Sequence, residues 1–375
     1  MKILFIIWSL RSGGSEKQLL LISTALAEAG LRPCVLSLIR TGRHDRIQTL
    51  ITAARQAGVQ FIEPRADSFF PALWSGLREL GKHSQRLVWT WGRRADLLGK
   101  LAKKLGRDFQ LVCSVRHADP ERLRRYRRFY TWEDKRVDLY VSNSHRGCEL
   151  LQEHVPGSQA RCRILYNALS WSEAGAPGID LPDKPPRPLN LLMLGNLRLN
   201  VKGYGSVLDL AVRMRDAALP VKILVGGYGT EAVVRNLNAQ ILSRGLEEIL
   251  TLVGWVQDPE AFLRRGHAFF LSSRAEGFPN ALLEAMNLGL PSISTPVGDV
   301  ARVFQDREHI RIVPGTPETT VEVLKDFLAD WPGAVRLGKL GQARCREVFH
   351  PDVMAGEARS ILENLAFPAQ PDALP

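Results

Sequence analysis

The sequence has no apolar run near the ~20 residues needed to cross a bilayer, so no membrane-spanning helix is expected. Cysteine is scarce. Cys34, Cys113, Cys148, Cys162 and Cys345 are odd in number and scattered, with no C-x-x-C pair. That spacing indicates neither a disulfide framework nor a zinc site, and it suits a reducing cytoplasm. No G-x-G-x-x-G dinucleotide fingerprint follows the first apolar run. The first part of the chain is also short of acid. Residues 1–170 carry 29 Lys+Arg against 15 Asp+Glu, whereas residues 171–375 carry 21 against 24. A chain basic throughout would suggest nucleic acid; one basic half suggests a docking face for something anionic.

At 375 residues the chain suits two domains, each able to bury its own core. Lys2 to Trp8 resembles the apolar region of a signal peptide, but it is short and no small-residue cleavage site follows. It reads as a strand buried on both faces. A loop with Gly13-Gly14 and a helix over Gln18–Ala29 follow, then a strand at Pro33–Leu38, a helix around 46–57 and a strand at Phe61-Ile62. Further strands are expected at 87–90, 110–115 and 137–141. The alternation predicts an α/β domain with a doubly wound parallel sheet. The strand at 110–115 delivers Arg116-His117 to its carboxyl end, where open sheets place ligands; a lone His is also commonly a core or surface residue.

Residues 82–136 are the most basic stretch, with 16 Lys+Arg against 6 Asp+Glu. Within it Leu123, Tyr126, Phe129 and Tyr130 share one side at helical spacing, with Arg122, Arg124, Arg125, Arg127 and Arg128 around them. Three readings compete: a solvated face that packs its aromatics inward, a patch that meets anionic headgroups or the acceptor, and, least favoured, nucleic-acid binding. No nucleic-acid recognition motif accompanies the charge, so no nucleic-acid partner is expected.

Residues 171–188 turn rich in Gly, Pro and Ser and read as a linker. A second α/β domain is expected over 189–349, a helix at 350–366 crossing back to the first domain, and a disordered tail at 367–375. Its informative stretch is Ser273-Arg274-Ala275-Glu276-Gly277-Phe278-Pro279-Asn280-Ala281-Leu282-Leu283-Glu284. A buried apolar run precedes it and a helical composition follows from Ala281. A strand thus enters a loop and a helix N-terminus, where free N–H groups favour an anion.

This string resembles the Glu, seven residues, Glu signature of the retaining glycosyltransferases of family 4, which have the GT-B fold of two Rossmann-like domains facing a central cleft. The resemblance spans about residues 1–366. It is most specific at 273–299, moderate at 195–203, 13–16 and 226–229, and weak elsewhere. It implies that Glu276 and its loop engage the donor sugar and that Glu284 takes the ribose hydroxyls. The N–H groups of Phe278, Asn280 and Ala281, around Pro279, which has none, would face the diphosphate. The family's Gly-Arg…Lys-Gly pattern is met by Gly195-Asn196-Leu197-Arg198 and Lys202-Gly203. Lys202 suits the diphosphate, Asn196 departs from the usual Arg, and Arg198 is a candidate replacement. Gly14 lies in a loop that closes over donor phosphates or acceptor, Gly227 in a loop after a strand, and Val256 beside the base. His117 would contact the donor sugar or hold the acceptor. Glu276, His117 and Lys202 are thereby the candidate catalytic residues.

No D-x-D occurs, so no metal-bridged diphosphate and no cofactor is expected. The implied activity is sugar transfer from a nucleotide-sugar, UDP favoured over GDP, to a saccharide or lipid-linked acceptor in cell-envelope glycan synthesis. The implied location is cytoplasmic, at the inner face of the membrane. Two alternatives remain, a nucleotide-sugar epimerase on the same fold and a non-catalytic basic binding protein.

Overall fold

The computed structural model describes residues 2–11, 13–40, 45–62, 66–82, 87–197 and 203–366. The chain divides into two compact units. One comprises Met1–Ala168 together with the segment from Pro351, and the other Leu169–His350.

The first unit holds seven parallel strands among the described residues. They are β1 (Lys2–Ile7), β2 (Arg32–Ser37), β3 (Gln60–Ile62), β4 (Leu87–Trp91), β5 (Gln110–Val115), β6 (Leu139–Ser142) and β7 (Cys162–Ile164). Their order is β3-β2-β1-β4-β5-β6-β7, so the winding reverses between β1 and β4. Every residue of β4 is buried, as are five of the six in β1, which is why these strands read as continuous apolar runs. Phe5 stacks on Trp89 at 5.3 Å on one face, while Leu4, Ile6, Val88 and Leu111 share a cluster on the other.

The helix after β1 runs Gly14–Glu28, starting four residues before the expected Gln18. Gly13 takes the extended cap conformation, and Glu16 in the first turn complements the helix dipole. The Gln18 side chain donates to the Ala168 carbonyl and accepts from the Ala168 N–H, both at 2.8 Å, tying this helix to the last residues of the unit. Helix Pro351–Ala366 packs on it, and Gln110 donates to the Leu365 carbonyl. Residues 367–375 lie outside the described residues. A helix at Phe69–Lys82 was not anticipated.

The basic run is not one helix. Pro120–Arg125 and Arg127–Thr131 are separate short helices broken at Tyr126. Leu123 and Tyr130 are buried, Tyr126 and Phe129 pack against the same core, and the five arginines stay exposed. The cysteine expectation is corrected. Cys148, on helix His145–His154, and Cys162, opening β7, form a disulfide with Cα atoms 6.2 Å apart. The two meet only because that helix packs back on the strand, which spacing along the chain does not disclose.

The second unit holds β8 (Leu189–Leu194), β9 (Val221–Gly226), β10 (Leu250–Gly254), β11 (Ala268–Leu271), β12 (Ser292–Ser294) and β13 (Arg311–Ile312). The order β10-β9-β8-β11-β12-β13 puts its reversal between β8 and β11. The expected linker contains a helical turn, Trp171–Ala174, closed by a reciprocal cap between Ser170 and Glu173. Helix Asn280–Asn287 packs on helix Trp331–Phe349, whose Arg346 bonds Asn287 Oδ1 at 2.9 Å.

Candidate active site

In open α/β sheets ligands bind outside the carboxyl ends of the strands where the winding reverses. In the second unit that position lies between the loops after β8 and β11. The β8 loop begins Gly195-Asn196, with Asn196 exposed. It is laced to the β9 loop, since Gly195 N–H donates to the Gly226 carbonyl and Leu197 N–H to the Tyr228 carbonyl. Gly227 sits so close that any Cβ there would collide with the Gly195 carbonyl oxygen. Gly203, at φ +69°, presses likewise on the Ser272 carbonyl, which brings the end of the β8 loop against the start of the β11 loop. Arg198 and Lys202 lie outside the described residues. Val256 packs against Gly226, beside Trp255 and Tyr228, which are 53% and 59% exposed and meet edge to face at 6.3 Å.

The loop after β11 carries Glu276. Its Oε1 accepts from Ser273 Oγ at 2.9 Å, and its charge helps push the Tyr204 hydroxyl upward, after burial. Gly277 is buried, with its carbonyl against Gly298. Phe278 is buried on Phe349, 4.8 Å between ring centroids, so its side chain anchors the loop. Pro279 is the N-cap of helix Asn280–Asn287, and no side chain caps that helix. Asn280 and Ala281 form the N-terminus, where the helix dipole favours a ligand anion. Glu284, one turn further, is only 9% exposed.

In the first unit the carboxyl ends of β4, β5 and β6 gather Trp91, Arg93, Arg116, His117 and Asn143. His117 Nε2 lies 3.0 Å from the Tyr130 hydroxyl. Burial, then the Arg122 charge, pull His117 down to about 4, with Asp119 opposing and Arg93 adding a lesser downward effect. At neutral pH its ring is therefore uncharged. Burial pushes Tyr130 up to about 12. Gly14 opens the helix after β1, where burial raises the Glu16 carboxyl. Sequence reasoning assigned no role to Tyr204, Tyr228 or Trp91, and only the position of Trp91 directly after an expected strand hinted at one. Trp255 stood in a strand expected to border the base, and Tyr130 on the aromatic side of the basic run. Among the described residues no cluster of three or more His, Cys, Asp or Glu is arranged to hold a metal.

Two doubly wound parallel domains with a helix returning from the second to the first define a GT-B protein, and solved structures agree. Anabaena Alr3699/HepE, crystallised with UDP-glucose, superposes with TM-score 0.78 at 18% identity, over 97% of this chain and 100% of that one. Sucrose-phosphate synthase from Thermosynechococcus elongatus gives 0.78 at 16% identity, over 98% and 99%. The family described as Glycosyltransferase Family 4 matches residues 12–170, and that described as Glycosyl transferases group 1 matches residues 188–330. The chain belongs to these group 1, family 4 glycosyltransferases. Among curated proteins, the N-acetylgalactosamine-N,N'-diacetylbacillosaminyl-diphospho-undecaprenol 4-alpha-N-acetylgalactosaminyltransferase of Campylobacter jejuni is 26% identical, over 52% of this chain and 52% of that protein. The lipopolysaccharide core biosynthesis mannosyltransferase LpcC of Rhizobium leguminosarum is 25% identical, over 64% and 69%. The alignment spans about half the length of the first of these, which leaves activity and substrates to be argued from the site.

Proposed function

We propose that this protein is a retaining, metal-independent glycosyltransferase. It would move a sugar from a UDP-sugar to a saccharide or lipid-linked saccharide of the cell envelope. The carrying observation is the segment from Ser273 to Glu284. It joins an oriented carboxylate, an uncapped helix N-terminus and a second, buried carboxylate at the reversal of the second sheet. Breaking the sugar–phosphate bond builds negative charge on the leaving diphosphate and positive character on the sugar. Fixed donors aimed at that diphosphate lower the barrier. The N–H groups of Asn280 and Ala281 suit this, with Lys202 and Arg198 as cationic partners by resemblance. Glu276 would orient the donor sugar, and Glu284 would accept from ribose hydroxyls. No side chain suggests itself as a covalent nucleophile, so departure and attack on one face of the sugar is the expected course.

UDP is favoured because the Anabaena structure of the same fold was solved with UDP-glucose, and the bacterial relatives named above suggest an envelope acceptor. The test is a melting-temperature panel with UDP, GDP and their sugar conjugates, followed by product analysis. A ligand that binds only the folded state raises the melting temperature. A rise with UDP compounds and none with GDP compounds supports the reading; silence from both families removes it.

Membrane association is the second part of this proposal. Five exposed arginines on two short helices supply charge, and the exposed Phe70 and Trp74, four residues apart on helix Phe69–Lys82, supply aromatic surface. Cosedimentation with phosphatidylglycerol vesicles that persists unchanged after replacing the five arginines with Gln, or Phe70 and Trp74 with Ser, would sink this part. No described helix is long and apolar enough to cross a membrane.

A further inference from the structure

Six side-chain atoms at the carboxyl edge of the first sheet are buried without a hydrogen-bond partner. They are Trp91 Nε1, Arg93 Nη1, Arg116 Nε, Arg116 Nη2, His117 Nδ1 and Asn143 Oδ1. Their residues end or follow three neighbouring strands, β4, β5 and β6. Among the described residues only one other such atom occurs, Arg311 Nε in the second unit. Buried polar groups are normally paired, so a cluster of this kind calls for a missing partner.

Arg116 shows what that partner is. Its guanidinium lies over the Trp91 ring at 4.0 Å, and only Nη1 is engaged, in two long bonds of 3.4 Å to the Leu165 carbonyl and Asn167 Oδ1. Burial alone pulls the group down to about 9, with no carboxylate acting in the other direction. A buried cation without a counter-charge is costly, and its idle Nε–H and Nη2–H form the fork that grips two oxygens of an oxyanion. Trp91 Nε1–H adds a neutral donor. Arg93, over the Tyr126 ring at 3.5 Å, and Arg122 keep the surroundings positive. Two of the six atoms do not suit an anion. Asn143 Oδ1 only accepts, and His117 Nδ1 accepts whenever Nε2 carries the ring proton toward Tyr130. These two match hydroxyl groups, and the combination of oxyanion donors with hydroxyl acceptors is that of an acidic or phosphorylated sugar.

We propose that this edge of the first unit binds the acceptor saccharide through an oxyanion it carries, a phosphate or a carboxylate. Arg116 and Trp91 would hold the oxyanion, and Asn143 and His117 neighbouring hydroxyls. That the ligand is an acceptor rests on the glycosyltransferase reading; the oxyanion site does not.

The test uses the full chain, 15N-labelled, with UDP saturating so that added anions are kept from the donor site. Trp91→Phe assigns the Trp91 indole signal. Pyrophosphate, glucose 1-phosphate, glucuronate and neutral glucose are titrated at constant ionic strength set with sodium chloride. The expected result is a saturable downfield movement of the Trp91 indole proton with the phosphates or with glucuronate, which tells the two oxyanions apart, and none with glucose alone. Arg116→Lys keeps the charge but loses the fork, and it should weaken that affinity at least tenfold while the UDP melting shift stays. No saturable movement with any of the three anions means the cluster holds only water and overturns the proposal. So does unchanged affinity in Arg116→Lys. If that variant does not fold, the wild-type titration still decides. A missing UDP shift overturns the donor reading instead.

Discussion

Ser273 Oγ donates a 2.9 Å hydrogen bond to Glu276 Oε1, three residues further along the same loop. The bond orients the Glu276 carboxylate within the loop. Preorganisation of this kind matters most in the transition state.

Ser273→Ala should therefore lower kcat about 10- to 100-fold, the worth of roughly one hydrogen bond to a charged group, with UDP affinity nearly unchanged. Glu276→Gln should cost about 10²-fold or more in kcat. Steady-state kinetics alongside UDP titration separates the two effects. Equal losses of kcat and UDP affinity in Ser273→Ala would count against an orienting role.

Glu284 belongs to the binding side of the same segment. The residue is only 9% exposed and stands one turn from the N-terminus, whose N-cap Pro279 brings no side-chain hydrogen bond. Glu284→Ala should weaken UDP binding about 10- to 100-fold, the range for hydrogen bonds to a charged group. Calorimetry with UDP against uracil checks it: the loss should appear with UDP and vanish with the free base, which carries no ribose.

His117 makes stability pH-dependent in a defined direction. Its ring titrates near 6.5 when unfolded, but burial in the fold holds it down to about 4. Between those values the unfolded chain binds more protons, so stability is full above about 6.5 and falls as pH drops toward 4. The loss attributable to this ring is at most about 3 kcal/mol. Asp96, raised to about 6 by burial, acts in the opposite sense over a similar range. The measurement is thus a difference, urea unfolding of wild type against His117→Gln from pH 7.5 to 4.5. Wild type should lose ground to the variant on acidification. Parallel curves would mean the ring protonates as readily folded as unfolded.

Gly227 cannot carry a side chain without striking the Gly195 carbonyl. Gly227→Ala should destabilise by about 1–3 kcal/mol through overpacking, lowering the melting temperature by several degrees. It should also raise the KM for donor, because the β8 and β9 loops must part. An unchanged melting temperature would show that the loops separate freely.

Much of the fold lay in runs of consecutive residues. Strands buried on both faces announce themselves as unbroken apolar segments, as Ile3–Ile7 and Leu87–Trp91 do. The Ser273–Glu284 segment could be read because its strand, loop and helix are contiguous, so the spacing of Glu276 and Glu284 already carries their relation. Boundaries were less faithful. Gly13-Gly14 and Glu16 suggested loop, yet the helix starts at Gly14 because Gly13 takes the extended N-cap conformation and an acid in the first turn complements the dipole.

The sequence by itself determined the two-domain α/β class, the family and the donor-side segment, since each depends on local pattern. Tertiary structure alone decided the rest. It turned Tyr126, Phe129 and Tyr130 of the basic run toward the core and left the five arginines outside. It joined Cys148 to Cys162 and Gln18 to Ala168. It laid Arg116 over Trp91, 25 positions away by number, with two of its nitrogens idle. Such pairings depend on which strands become neighbours, a choice made by the burial of whole sheets rather than by any one segment.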